Sequence, residues 1–314
     1  MKIKLSIIIL SWNTEKLLED CLKSVFDEEK GLGESLQIIV VDNNSLDGST
    51  KMIEKEFPEV QLIKNGKNLG FSKGNNIGFN KAKGEFVMLL NSDTVLENGS
   101  LKDLLAASAL KESFALSPLL FLPGNKPQID YYMKFPNLWQ IFFYHNPILR
   151  PIAFKISFLR KRICSEQESK TFQVDQLPAT AILASRKVWN EVGLLDEDYS
   201  FLYEDVDWCF RARKKKINLF VVPSSRVLHI GGASWKKKLK EDDLDFYKQY
   251  FSSMLLFVRK NYSFASYLSF RVSLFLNFLI LGIIYILPFS RKGVQKIKLS
   301  FYCLSKMEKP QSFL

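Results

Sequence analysis

The chain has 314 residues, twice the ~150 of an average domain, with 47% hydrophobic and 25% charged residues and a net charge of +11. These are globular proportions, and they exclude a disordered, collagen-like or coiled-coil chain. Four scattered cysteines (Cys21, Cys164, Cys209, Cys303) form no CxxC pair, which excludes a cysteine-rich zinc site and a disulfide framework and points to a reducing, cytosolic setting.

Apolar runs at 5–10, 36–41, 60–63, 86–90 and 114–116 alternate with helix-like stretches at 15–26 and 48–57. That alternation predicts an α/β fold with a mostly parallel sheet covered on both faces. The first run is short and leads into Ser11, Trp12 and Asn13, so it reads as a buried strand and not as a secretory signal. Ligands of such sheets bind outside the carboxyl ends of the strands. Three of those ends are polar: Ser11-Trp12-Asn13, Asp42-Asn43-Asn44-Ser45 and Asn91-Ser92-Asp93-Thr94. Each group alone also suits a turn or a helix cap; their gathering at one edge predicts a ligand site. Between the third and fourth runs, Gly70, Gly74 and Gly78 surround Lys73, Asn75 and Asn76. The glycines allow backbone to approach a phosphate-bearing ligand, or a helix to pack closely through small residues. Neither GxGxxG nor GxxxxGK[ST] occurs, so a dinucleotide fold and a P-loop are unsupported.

An insertion at about 131–165 carries six basic residues, no acid and many aromatics. Such a mixture suits a membrane interface, single-stranded nucleic acid, or a merely solvated basic face. No nucleic-acid motif accompanies it, and no nucleic-acid partner is expected. Next comes an acidic cluster, with Glu204 and Asp205 at a predicted helix start and Asp207 and Arg211 four apart and able to pair. The cluster fits a general base in a cleft as well as an acidic helix terminus. His229 could join Asp93 in offering an O/N pair to a divalent cation; His145 receives no role. Residues 201–314 hold 20 basic against 8 acidic side chains. Within them, 272–290 is uncharged, ~28 Å long as a helix against ~30 Å of hydrocarbon. A crossing would leave Arg291, Lys292, Lys296 and Lys298 on the outer side. This predicts a helix in, or re-entering, the cytoplasmic leaflet, with a true span second and a buried soluble helix third.

Five ordered motifs resemble the family 2 glycosyltransferases of GT-A fold, in the branch with bacterial rhamnosyltransferases of polysaccharide assembly. They lie at 6–13, 41–47, 68–78, 89–93 and 204–211, are completed by His229, Gly231, Gly232 and Ser234, and cover roughly 4–235. The resemblance implies that the turn of Ser11, Trp12 and Asn13, together with Asp42, holds the base and ribose of a nucleoside-diphosphate sugar. Asn44, Lys73, Asn75, Asn91, Ser92, Glu204, Asp207 and Arg211 would complete the substrate contacts. Asp93 and His229 would bind Mg2+ or Mn2+ at the donor diphosphate, and Asp205 would deprotonate an acceptor hydroxyl with inversion. The implied reaction moves a hexose or deoxyhexose, rhamnose foremost, to a lipid-linked or polysaccharide glycan at the cytoplasmic membrane face. Residues 1–240 would form the transferase domain and 241–314 a membrane-associated helical tail. Asn91 departs from the usual DxD, Lys216 stands where a glycine often ends the acidic-motif helix, and 176–181 is less glycine-rich than the usual acceptor-side strand. The QxxRW motif of processive synthases is absent, which favours single addition. The alternative is a non-catalytic nucleotide-sugar or glycan-binding protein; Asp93, Asp205 and His229 together speak against it, since binding needs no base.

Overall fold

A computed structural model describes residues 3–108, 113–128, 132–166, 168–231, 244–286 and 291–305. In chain order it runs β1 (Leu5–Ser11), α1 (Glu15–Leu32), β2 (Leu36–Asp42), α2 (Ser49–Glu56), β3 (Gln61–Lys64), α3 (Phe71–Phe79), β4 (Phe86–Asn91), β5 (Thr94–Leu96), α4 (Ser100–Ser108), β6 (Phe114–Leu122) and β7 (Lys126–Pro127). There follow a π-helical turn (Gln140–Tyr144), α5 (Arg150–Lys155), α6 (Ser157–Ile163), β8 (Phe172–Gln173), β9 (Ala181–Ser185), α7 (Arg186–Val192), α8 (Glu204–Lys214) and β10 (Asn218–His229). Three helices end the described chain: α9 (Leu244–Asn261), α10 (Phe264–Ile286) and α11 (Arg291–Leu304).

The sheet order is β3-β2-β1-β4-β9-β6-β10-β5. β1 to β4 pair in parallel, as the alternating runs imply, and β6 pairs in parallel with β10. The antiparallel β9 lies between β4 and β6, bonded to both. Ile7, Ile8 and Ile9 of β1 are fully buried, because helices cover both faces and leave no solvent side. One apolar cluster draws on α1, α2 and α4, the other on α3, α7, α8 and the last three helices.

For Gly74 and Gly78 the packing alternative holds. A Cβ at Gly74 would enter the Leu10 side chain, and one at Gly78 would enter Ile8. The two glycines therefore seat α3 on the sheet and do not line a ligand. Two tryptophans hold α7 and α8 against it. Trp189 and Trp208 have ring centroids 4.4 Å apart, with Trp189 Nε1 donating to the Val87 carbonyl and Trp208 Nε1 to that of Gly193. Burial of rings this large, with both N–H groups satisfied, fixes the start of α8 relative to β4.

The tail is a folded part of this body. Phe251, Phe257 and Val258 of α9 enter the second cluster, as do Phe270, Leu274, Phe278 and Leu281 of α10. α10 begins at Phe264, eight residues ahead of the uncharged stretch. Arg271, which marks a boundary in the sequence, lies inside the helix: its Nε donates to the Cys303 carbonyl at 3.0 Å and satisfies the carboxyl end of α11. Phe264–Tyr285 is long and apolar enough to cross a membrane. Its outer face exposes Leu268, Val272, Leu276, Ile280, Ile283 and Ile284. The basic insertion docks on it through Asn146 Nδ2, which donates to Asn277 Oδ1 at 3.0 Å. Tyr131, Gly232, Ser234, the expected boundary near 240 and residues 287–290 fall outside the described residues.

Candidate active site

The parallel register aligns the polar strand ends. Ser11 pairs with Asp42 and Leu10 with Asn91, which puts the three loops on one sheet edge. Ser11 Oγ lies 3.0 Å from Thr14 Oγ1, which donates to Ser92 Oγ at 3.1 Å and ties the β1 and β4 loops together. Asn13 and Asn44 take left-handed backbone conformations, φ 54° and 63°, which asparagine tolerates better than most residues. Asn13 Oδ1 accepts from Leu46 N, and Asn13 N donates to Ser45 Oγ. Asn13 thus shapes the loop, Trp12 lies half-buried beside it, and Asn44 is exposed at the edge.

Asp42 is 2% exposed; Oδ2 accepts from Ser45 N at 2.9 Å, while Oδ1 has no partner. Asn68 Nδ2 and Ser72 Oγ, near the start of α3, are also buried and unsatisfied. Buried polar atoms left without partners are costly, and these three, at the end of β2 and around the start of α3, make that region a candidate place for a polar ligand. Asn75 turns into its own helix, donating to the Phe71 carbonyl, and Lys73 is exposed. The neighbouring Asn76 donates to the Leu195 carbonyl and to Glu197 and accepts from Leu195 N, so it clamps α3 to the loop ahead of α8.

Asp93 and His229 meet. β10 pairs antiparallel with β5 so that His229 faces Thr94, and Ile230 N donates to the Asp93 carbonyl at 3.0 Å. His229 Nε2 lies 3.4 Å from Asp93 Oδ1, and both residues are buried. His229 Nδ1 is 2.9 Å from Gln128 Oε1. An amide oxygen only accepts, so Gln128 can hold a proton on Nδ1, which leaves Nε2 as the ring atom that could ligate a cation beside Asp93. Gln128, which meets the His229 ring, is a candidate position that the sequence alone did not single out, since nothing in a lone glutamine 101 residues away marks it.

α8 opens on strain. Leu202 and Tyr203 have φ of 58° and 74°, a conformation non-glycine residues hold only where their surroundings enforce it. Glu204 is buried and Asp205 half-buried; Asp205 Oδ2 accepts from Ala179 N at 3.1 Å and Oδ1 from Val206 N at 2.8 Å. The adjoining Thr180 carbonyl accepts from Asn91 N, which brings Asp205 beside the strand end that carries Asp93. Desolvation raises both carboxyls, and the charge of Asp205 adds to the rise at Glu204. The two N–H groups favour the ionised form of Asp205, so the retained proton belongs on Glu204.

A carboxyl whose value is raised by folding contributes stability below its unfolded value and loses it as pH rises toward the folded one. Glu204→Gln copies the protonated form. In urea melts its stability advantage over the parent should grow from pH 5 upward by a few kcal/mol and level off at alkaline pH; a pH-independent difference would refute a protonated Glu204.

Asp207 and Arg211 are committed to the protein. Asp207 accepts from Arg211, Tyr199 and Asn261, while the Arg211 guanidinium also donates to the Val192 and Leu194 carbonyls. They pair as their spacing implies, and they anchor α8 where the sequence reading gave them substrate contacts.

Among the described residues no group of three or more His, Cys, Asp and Glu side chains converges on a point. Among the described residues, Asp93 and His229 are the pair that would hold a cation there. Octahedral ligands ~2.1 Å from an ion stand ~3 Å apart, and the 3.4 Å separation suits that arrangement. A nitrogen ligand fits Mn2+ better than Mg2+, which prefers oxygen.

A mostly parallel sheet with a polar carboxyl edge, an Asp–His pair and a desolvated carboxylate pair defines an α/β protein of GT-A type. Residues 6–135, about two fifths of the chain, match the model of glycosyl transferase family 2. It is 24% identical over 219 residues to the low-salt glycan biosynthesis hexosyltransferase Agl10 of Haloferax volcanii, covering 68% of this chain and 63% of that one. It is 27% identical over 210 residues to the N-acetylglucosaminyl-diphospho-decaprenol L-rhamnosyltransferase of Mycobacterium tuberculosis, covering 62% and 66%. The chain thus spans slightly under two thirds of the length of either relative. The fold is shared with the mannosyltransferase of Pyrobaculum calidifontis in complex with GDP-Man and Mn2+, at a TM-score of 0.58 and 10% identity over 97% of this chain and 86% of the other.

Proposed function

We propose that the protein is an inverting glycosyltransferase that moves one hexose or deoxyhexose from a nucleoside-diphosphate sugar to a hydroxyl of a lipid-linked glycan in cell-envelope assembly. The observation that carries this reading is the meeting of Asp93 with His229 beside the strand end to which Asp205 is joined through Ala179 and Thr180. The likeness to the mycobacterial enzyme supports rhamnose as the sugar and a diphospho-polyprenol as the carrier.

Asp42 would take the polar edge of the nucleoside, where its Oδ1 lacks a partner. Asp93 and His229 would hold Mn2+ or Mg2+, which when bound neutralises charge on the departing diphosphate. Asp205 accepts the proton of the acceptor hydroxyl; the new O–C1 bond forms as the C1–O bond to phosphate breaks, and the electron pair leaves with the nucleoside diphosphate. Glu204, protonated, adds no second charge beside the base. An aliphatic hydroxyl ionises far above neutrality, so a desolvated carboxylate with a raised value is a better proton acceptor than one in water.

The half-packed α10, with an aliphatic outer face, supports a monotopic placement in the cytoplasmic leaflet over a crossing, because its inner face is committed to α9, α11 and the insertion.

A panel of UDP-, GDP- and dTDP-sugars read by thermal shift tests the reading. The cognate donor at 100 times its Kd adds ~2.7 kcal/mol and should raise the midpoint by several degrees with Mn2+ and far less with a chelator. Silence across the panel under both conditions would sink it.

A further inference from the structure

A cavity of about 350 Å³ opens between the insertion and the tail, large enough for a small ligand. Its walls include Tyr144, His145 and Arg150 from the insertion, Tyr247 and Tyr250 from α9, and Lys296 from α11. The Arg150 guanidinium stands 4.4 Å over the Tyr144 ring and the Lys296 ammonium 3.9 Å over Tyr247. Among the described residues lining the cavity none is acidic. His145 is packed edge-on against Tyr250 and Phe251, and desolvation, with the charges of Arg150 and Lys296, pushes it down to about 3. The ring is neutral at physiological pH, leaving the cavity charge to the two cations.

A contact between two tyrosines ties the cavity wall to the start of α8. The Tyr250 and Tyr203 hydroxyls are 3.3 Å apart with ring centroids at 5.4 Å, and Tyr203 directly precedes Glu204 and Asp205. On its other side Ile148 and Ile152 are exposed next to Pro147 and Arg150, continuing the wall as an aliphatic surface.

We propose that this cavity is the subsite for the diphosphate of a lipid-linked acceptor: Arg150 and Lys296 bind the anion, Ile148 and Ile152 receive the first isoprenoid units, and the sugar next to the diphosphate reaches past Tyr250 to Asp205. The proposal rests on the acceptor class given above and adds the residues that select it. A neutral carbohydrate makes no use of two cations held over aromatic faces, whereas a diphosphate takes charge-assisted hydrogen bonds from both.

The test uses the full-length protein, without divalent cation so that Asp93 and His229 cannot compete, and farnesyl diphosphate as the calorimetric probe. Arg150→Gln/Lys296→Gln should weaken farnesyl diphosphate binding about tenfold or more. The charge-retaining Arg150→Lys/Lys296→Arg should keep it within about threefold, which separates lost charge from lost fold. The donor thermal shift should be the same in all three proteins; its absence from the parent would count against glycosyl transfer and leave the farnesyl diphosphate titration readable. Unchanged affinity in the double glutamine variant overturns the proposal. So does inorganic pyrophosphate binding as tightly as farnesyl diphosphate, the mark of a soluble-anion site. Loss of binding to phosphatidylglycerol vesicles with intact farnesyl diphosphate affinity would assign the cations to headgroups and overturn it likewise.

Discussion

Asp205→Asn should lower sugar transfer by about 10²–10⁴-fold, the range for removing a positioned general base, while donor affinity stays within about twofold. The substitution keeps one side-chain oxygen for Ala179 N, loses the acceptor for Val206 N and removes a desolvated charge, so the variant should fold with a stability close to that of the parent. Paired measurements of transfer and donor binding decide the matter. A joint loss of both would make Asp205 a structural residue, and full turnover would move the base elsewhere. With the parent, kcat/KM should fall on acidification at a pH above the ordinary aspartate range, because Asp205 must be ionised to act and desolvation raises it.

Asp93→Ala is expected to cost at least ~3 kcal/mol in metal-assisted turnover, more than a hundredfold. Mn2+ affinity, read by electron paramagnetic resonance with a nucleoside diphosphate present, should fall in parallel. His229→Asp offers the sharper readout. It exchanges the nitrogen donor for oxygen beside Asp93, and the preference for Mn2+ over Mg2+ should narrow or reverse. A variant with unaltered metal preference would show that the imidazole does not reach the ion.

Much of this arrangement is legible in the sequence. The β1, β2 and β4 runs are continuous and β-rich, and their polar termini fall where the parallel register must place them, so Ser11, Asp42 and Asn91 share an edge. Asp93 and His229 suggest an O/N pair by residue type, and the resemblance strengthens it, but their meeting is not legible, since 136 positions separate them and the chain joins them through β5–β10 pairing. Other parts are hidden for physical reasons. β9 is a short run of small and aliphatic residues whose direction is set by its neighbours on both sides. Gly74 and Gly78 present the same residue type whether facing a ligand or a helix, and only the positions of Leu10 and Ile8 decide. Asp207 and Arg211 are charged, which suggests substrate, yet their partners are backbone carbonyls of the preceding loop and side chains of other elements. The start of α10 is concealed because Arg271 resembles a flank until the carboxyl end of α11 is placed beside it.

The clamp made by Asn76 has a consequence for binding. Its carboxamide binds the Leu195 backbone in both directions and Glu197 as well, so α3 and the loop leading to α8 are tied to move together. On the function proposed above, occupancy on one side should then change affinity on the other, and by the same factor in either direction.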